Sequence, residues 1–336
     1  MASGPDGLPM AENSTTMDER IIGEYHGQQD GPLLICFGGM HGNETAGVEA
    51  LTILFHLLAE EPNLNPHFRF FGHMIGLRGN LRALAAGERY VQKDLNRQWT
   101  PANIQRIRAT PRRQLEAEEL EISEILEILD QRVAEWNPEK IYFLDLHTTT
   151  AYGGIFSIAT DDPESVRLGV EMHAPVIKGL LRGIRGTTMH YFNSKYFHPN
   201  TVAVTFESGQ HQEKLSVNRA LAATINCMRT IGLVLSEDVE NRHDKILRDY
   251  CAGLPKVAEF IMRHTIEPED GFQMRPGYKN FQPVRKGEIL AYDRHGPIRA
   301  IADGRVLMPL YQKQGEDGFF LIKAVEQPQL AEEGKA

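Results

Sequence analysis

Three short apolar runs, Leu33-Leu34-Ile35-Cys36-Phe37, Ile141-Tyr142-Phe143-Leu144 and Thr201-Val202-Ala203-Val204-Thr205-Phe206, constrain the fold of this chain most. Each is too short for a core helix and too apolar for a half-exposed strand, so each reads as a strand buried on both faces. Between them lie helical patterns, over 48–58, over 112–136 with Leu115, Ile122, Ile125, Leu126, Leu129, Val133 and Trp136 on one face, over 164–181 with a break near Pro175, and from Leu215 to Leu233. Further strands are expected over 67–76 and 154–159. Strands alternating with helices predict an α/β domain with a mixed, mostly parallel sheet flanked by helices, and ligands of such sheets bind beyond the carboxyl ends of the strands. The many glutamates of 112–136 are expected on its solvated face.

The chemistry-bearing residues fall at those ends. Gly38-Gly39-Met40-His41-Gly42-Asn43-Glu44 follows the first run as a strand-to-helix turn, and an imidazole and a carboxylate three residues apart can converge on one cation. Zinc suits such a mixed nitrogen and oxygen pair. A His-x-x-Glu pair also recurs by chance, and by itself decides little. His147 and Glu207 close the second and third runs, and a polar loop carrying Arg89, Asp94, Asn96 and Arg97 follows the strand expected before it. Four independent elements thus point at one edge, which favours a site over a set of solvated side chains.

From about residue 251 the texture changes to short strand candidates separated by Gly, Pro and Asp turns, which predicts a small C-terminal all-β domain over 251–336 behind an α/β domain over 21–250. Residues 283–290 and 302–309 look like the half-barrel of biotinyl and lipoyl domains, but without a carrier lysine on a tight hairpin. Residues 1–20, rich in Gly, Pro, Ser, Glu and Asp, read as a disordered tail with no signal-peptide core. The 36 basic and 45 acidic residues give a net charge of −9, which argues against nucleic acid or an anionic membrane as partner. No apolar run reaches the roughly 20 residues that span a bilayer. Cys36, Cys227 and Cys251 have no metal-ligand spacing, and a reducing, cytoplasmic compartment is expected. A homo-oligomer is left open.

Taken together and in this order, His41-Gly42-Asn43-Glu44, Asp94-Leu95-Asn96-Arg97, Asp145-Leu146-His147 and Phe206-Glu207-Ser208-Gly209 resemble the succinylglutamate desuccinylase and aspartoacylase family of zinc carboxypeptidase-like hydrolases. The resemblance implies that His41, Glu44 and His147 ligate one Zn2+ per chain and that Glu207 is the general base. It implies further that Arg89 polarises the scissile carbonyl, that Asn96 and Arg97 hold a substrate carboxylate, and that Tyr311 of the C-terminal domain reaches the pocket. Where aspartoacylase has an arginine shortly before its base strand, this chain offers Lys195, a point charge rather than a bidentate fork.

Two His and one carboxylate leave a zinc position open, the catalytic rather than the closed structural pattern. The expected function is a zinc-dependent amidohydrolase that deacylates a small anionic N-acyl amino acid or related carboxylated amide. A zinc carboxypeptidase would use the same ligands in a more open cleft. A non-catalytic zinc-binding protein would need no base such as Glu207 beside the metal.

Overall fold

The computed structural model describes residues 19–239, 242–312 and 315–325. The tail expected over 1–20 lies outside them except for its last two residues, as does the end of the C-terminal domain beyond 325. Among the described residues an eleven-stranded sheet runs through the molecule in the order β1-β3-β2-β4-β7-β5-β6-β8-β14-β13-β10. Its strands are β1 (Ile21–His26), β2 (Gln29–Gly38), β3 (Phe71–Arg78), β4 (Ile141–Thr149), β5 (Phe156–Ala159), β6 (Val176–Lys178), β7 (Thr201–Gln210), β8 (Val257–Thr265), β10 (Pro283–Val284), β13 (Gly304–Leu307) and β14 (Asp317–Ala324). A separate three-stranded sheet joins β9 (Gln273–Met274), β11 (Ile289–Asp293) and β12 (Gly296–Arg299).

The three apolar runs form β2, β4 and β7 at the centre, where β4 is buried at every position. They are buried on both faces because helices cover both: Ala117–Trp136 packs with Phe37, Phe143 and Ile75 on one side, and Ala46–Leu64 with Leu215–Thr230 packs on Leu34, Leu144 and Val204 on the other. "Mostly parallel" holds only for this centre. β3–β2, β2–β4, β4–β7, β5–β6 and β6–β8 are parallel, whereas β1–β3, β7–β5, β8–β14, β14–β13 and β13–β10 are antiparallel. Apolar runs mark buried central strands; they carry no signal for the direction of the half-exposed strands that extend the sheet.

The C-terminal strands are not a sheet apart. Val257 pairs with Val176, so β8 and then β14 continue the main sheet, while Met274, Tyr278, Val284, Leu290, Val306 and Leu321 gather in a smaller core of their own. The helix expected over 164–181 is also shorter, Pro163–Glu171. Pro175 disfavours helical backbone at Ala174, and Val176-Ile177 beyond it suits a strand and forms β6.

The glutamates of Ala117–Trp136 are the clearest correction: Glu118, Glu119, Glu121 and Glu124 are buried. The fully buried Arg20 guanidinium meets Glu121 and, at 2.5 Å, Glu124. Glu118 accepts the backbone N–H groups of Val91, Gln92 and Lys93 at 2.7 to 3.2 Å. Glu121 accepts those of Leu81 and Arg82 at 3.2 Å. These carboxylates therefore tether the loop that carries Arg89.

Candidate active site

The turn after β2 needs its glycines. Gly39 has φ +70, and a Cβ on Gly42 would come within 2.0 Å of the Ala83 backbone, so only hydrogen fits where the loop crosses the short helix Leu81–Ala86 that follows β3. This pressed turn buries His41 and Glu44. Glu44 lies between two imidazoles, its Oε1 2.8 Å from His41 Nδ1 and its Oε2 3.2 Å from His147 Nδ1. The backbone N–H of Thr148 donates to the same Oε2 at 2.9 Å. One ligand atom from each of His41, Glu44 and His147 lies within 4.8 Å of the others, close enough to hold a metal ion.

Each imidazole is backed by an acid on its far side. His41 Nε2 is 3.0 Å from Asp94 Oδ1, and His147 Nε2 is 3.0 Å from Asp145 Oδ2, which also accepts the Thr188 hydroxyl at 2.6 Å. Such carboxylate partners fix ring orientation and tautomer in metal-binding histidines. Asp145 is both fully buried and in contact with the His147 ring. The donor set, its burial and its backing acids fit a divalent metal that accepts nitrogen and oxygen.

Glu207 stands beside this cluster because β4 and β7 run parallel in a register that pairs it with His147. Its Oε2 is buried and has no hydrogen-bond partner among the described residues. Burial pushes its carboxyl up to about 8, with Glu44 and Asp145 adding to the rise and His147 and Arg89 opposing it. For His147, burial acts downward, but Asp145 and Glu44 outweigh it and hold the ring well above its ordinary value. Burial would raise Glu44, and the two histidines hold it well below.

The other expected residues divide. Arg89 lines the cleft, gives Nε and Nη2 to Asp94 at 3.1 and 2.9 Å, and brings Nη1 within 3.6 Å of Glu44. Asn96 and Arg97 line it too; the Asn96 side-chain oxygen accepts the Thr188 N–H at 3.1 Å, while Arg97 is held by its own backbone neighbour and by Asp317. Two residues are not brought in. Tyr311 is half-exposed, with its hydroxyl bonded to Arg275 O and Tyr278 N at 2.9 Å each. Lys195 is exposed, its ammonium 4.9 Å over the Tyr196 ring, and it is absent from the cleft.

His211, Gln312 and Asp317 line the cleft without having been singled out. His211 follows Glu207 by four positions, with Nδ1 2.6 Å from the Thr148 hydroxyl and Nε2 without a partner among the described residues; reading on to the end of β7 would have found it. Asp317 carries no local signal, since only the path of β14 brings it there.

Residues 30–231 match the family model described as succinylglutamate desuccinylase/aspartoacylase catalytic domain. A succinylglutamate desuccinylase of Pseudomonas fluorescens (strain SBW25) is 34% identical over 93 residues, 28% of this chain and 26% of that one. A probable aspartoacylase of Nostoc sp. is 31% identical over 134 residues, 39% of this chain and 40% of that one. The matches thus span well under half the length of these relatives. The crystal structure of a succinylglutamate desuccinylase/aspartoacylase from Rhodobacter sphaeroides superposes with a TM-score of 0.60 at 16% identity, over 89% of this chain and 87% of that one, a likeness of fold.

Proposed function

The chain belongs to the succinylglutamate desuccinylase/aspartoacylase family, and we propose that it is a zinc-dependent amidohydrolase that cleaves the amide of a small N-acyl amino acid or related amide. One observation carries this reading: an unpartnered, protonatable Glu207 stands next to a buried His41, Glu44 and His147 cluster. His41 and His147 through Nδ1, with the Glu44 carboxylate between them, would hold the zinc. Zinc, when bound, supplies Lewis acidity toward a water molecule and the amide carbonyl. Glu207 takes a proton from the attacking water and returns it to the leaving amine. Arg89, steadied by Asp94, presents the guanidinium that stabilises the charge growing on the carbonyl oxygen, an effect of about 3 to 4 kcal/mol for a well-placed donor.

The carboxypeptidase alternative needs room for a chain. Met308, Leu310, Gln312 and Asp317 from the C-terminal part line the same cleft as the cluster, which favours a small amide. The division of labour follows: residues 21–250 hold the chemistry, and residues 251–336 restrict access. No described helix is long and apolar enough to cross a membrane, and three unpaired cysteines fit the cytoplasmic placement proposed here.

The test is metal content and hydrolysis together. One zinc per chain and chelator-sensitive amine release from N-acetyl, N-succinyl or N-formyl amino acids are expected; no zinc after supplementation would refute the ligand set.

Metal uptake should also release protons. Without metal, burial pushes the Glu207 carboxyl up to about 8 and the acids beside His147 hold its ring well above its ordinary value, so the cation competes with protons on both groups. Zinc affinity is therefore expected to rise from about pH 6 to about pH 8, with proton release seen by calorimetry in buffers of different ionisation enthalpy. Uptake independent of pH would show that the cluster is already deprotonated.

A further inference from the structure

Arg97 is the residue expected to receive a substrate carboxylate, yet an acid of the chain already occupies it. Its Nη2 donates to Asp317 Oδ2 at 2.5 Å, and its Nη1 donates to the Asn96 carbonyl at 2.8 Å. The other oxygen of Asp317 is taken by Arg263, which also gives Nη1 to the Gly183 carbonyl at 3.0 Å and lies 3.8 Å from Glu316. Asp317 is thus gripped from two sides by guanidinium groups, as a bound carboxylate would be. All three side chains are mostly withdrawn from solvent, at 13% exposed for Arg97, 15% for Asp317 and 17% for Arg263. Leu181, Ile184 and Phe320 line the cleft alongside them.

We propose that Asp317 is a specificity-determining residue: it fills the anion clamp at this end of the cleft, so that the part of the substrate seated there is uncharged. An incoming carboxylate would have to break the Arg97–Asp317 pair, leaving Asp317 with Arg263 as its one guanidinium partner, or share Arg97 with Asp317 at like-charge distance; both are costly in a site this dry. The substrate class is then an amide whose group facing Arg97 is neutral, in contrast to the carboxylate that the family resemblance implies at this position. This rests on the amidohydrolase reading only for its kinetic consequence.

The test separates the two. Succinate and its monoamide, succinamate, each offer one carboxylate to a metal, and they differ only in whether the far end is charged. Calorimetry on the zinc-loaded wild-type chain is expected to give affinities for the two within about two-fold, and the isosteric Asp317→Asn to favour succinate by about ten-fold, since removing the internal acid frees the clamp. Hydrolysis of N-acetyl-leucine against N-acetyl-leucinamide should move the same way if the amine side faces Arg97, and N-succinylbutylamine against N-pentanoylbutylamine if the acyl side does. A wild-type chain that already prefers succinate about ten-fold would show that Arg97 is free to bind anions. Equal affinities in a folded Asp317→Asn would show that the clamp takes none; either result overturns the proposal. The wild-type arm stands even if the variant does not fold, and absence of hydrolysis of every amide would count against the enzyme reading without touching the binding comparison.

Discussion

Glu207→Gln is expected to lower kcat by about 10³-fold or more, at the upper end of what a positioned general acid–base group contributes, while the purified variant keeps its zinc. The amide is nearly isosteric, so the pairing of β7 with β4 should survive, and Glu207 is none of the three residues whose ligand atoms converge. What is lost is the ability to take a proton from water and give it to the amine. The measurement is zinc per chain alongside single-turnover hydrolysis of whichever N-acyl substrate the screen identifies. A variant that turns over within ten-fold of the parent would remove Glu207 from the proton path, roughly 1.4 kcal/mol being too small for that role. A variant that loses its zinc would instead make Glu207 part of the metal's support.

Arg20→Ala should destabilise the chain by about 3 to 5 kcal/mol, the range for breaking a buried ion pair by removing one partner. Arg20 is fully buried, and so is Glu121; Glu124, 2% exposed, is the second acid left behind. Arg20 also donates to the carbonyl oxygens of Arg78 and Gly79 at 3.0 and 2.6 Å, so the start of the Arg89 loop would lose an anchor at the same time. Denaturant unfolding measures the stability. An Arg20→Ala, Glu121→Ala double variant is expected to lose less than the sum of the single losses, because both single changes break the same Arg20–Glu121 pair. Additive losses would mean that the two groups do not interact across the interior.

How far these features could be read from sequence differs residue by residue. His41 and Glu44 were legible because a strand-ending glycine turn fixes where the next few side chains go, and His147 and Glu207 because each closes a run too apolar to be anything but a central strand. Their convergence followed from one rule of parallel sheets, that neighbouring strands end on the same side, and the register pairing His147 with Glu207 is that rule at residue resolution. Arg89 and Arg97 were found but their partners were not. An arginine in a loop has a reach that sequence does not direct, and whether it meets Asp94, Asp317 or a substrate depends on which distant strand lies beside it.

The helix Ala117–Trp136 shows the opposite limit. Its apolar stripe was legible, yet Glu118, Glu121 and Glu124 are buried. A glutamate is assigned to solvent by default, and only the arrival of Arg20 and of the free N–H groups of the 81–93 segment reverses that assignment. Tyr311 and Lys195 came from the family resemblance, and neither lines the cleft: a hydrogen bond from Tyr278 holds one and a contact with the Tyr196 ring the other.

The α/β centre and the sheet edge where His41, Glu44, His147 and Glu207 meet could be read from the order of residues along the chain. Those depend on local burial and turn geometry, which act within a few residues. The antiparallel half of the sheet, the buried acids behind the Arg89 loop and the closing of Arg97 by Asp317, 220 residues away, arise from contacts between distant segments. Charge pairing in a dry interior depends on distance in space, and the chain sets that distance only when it folds.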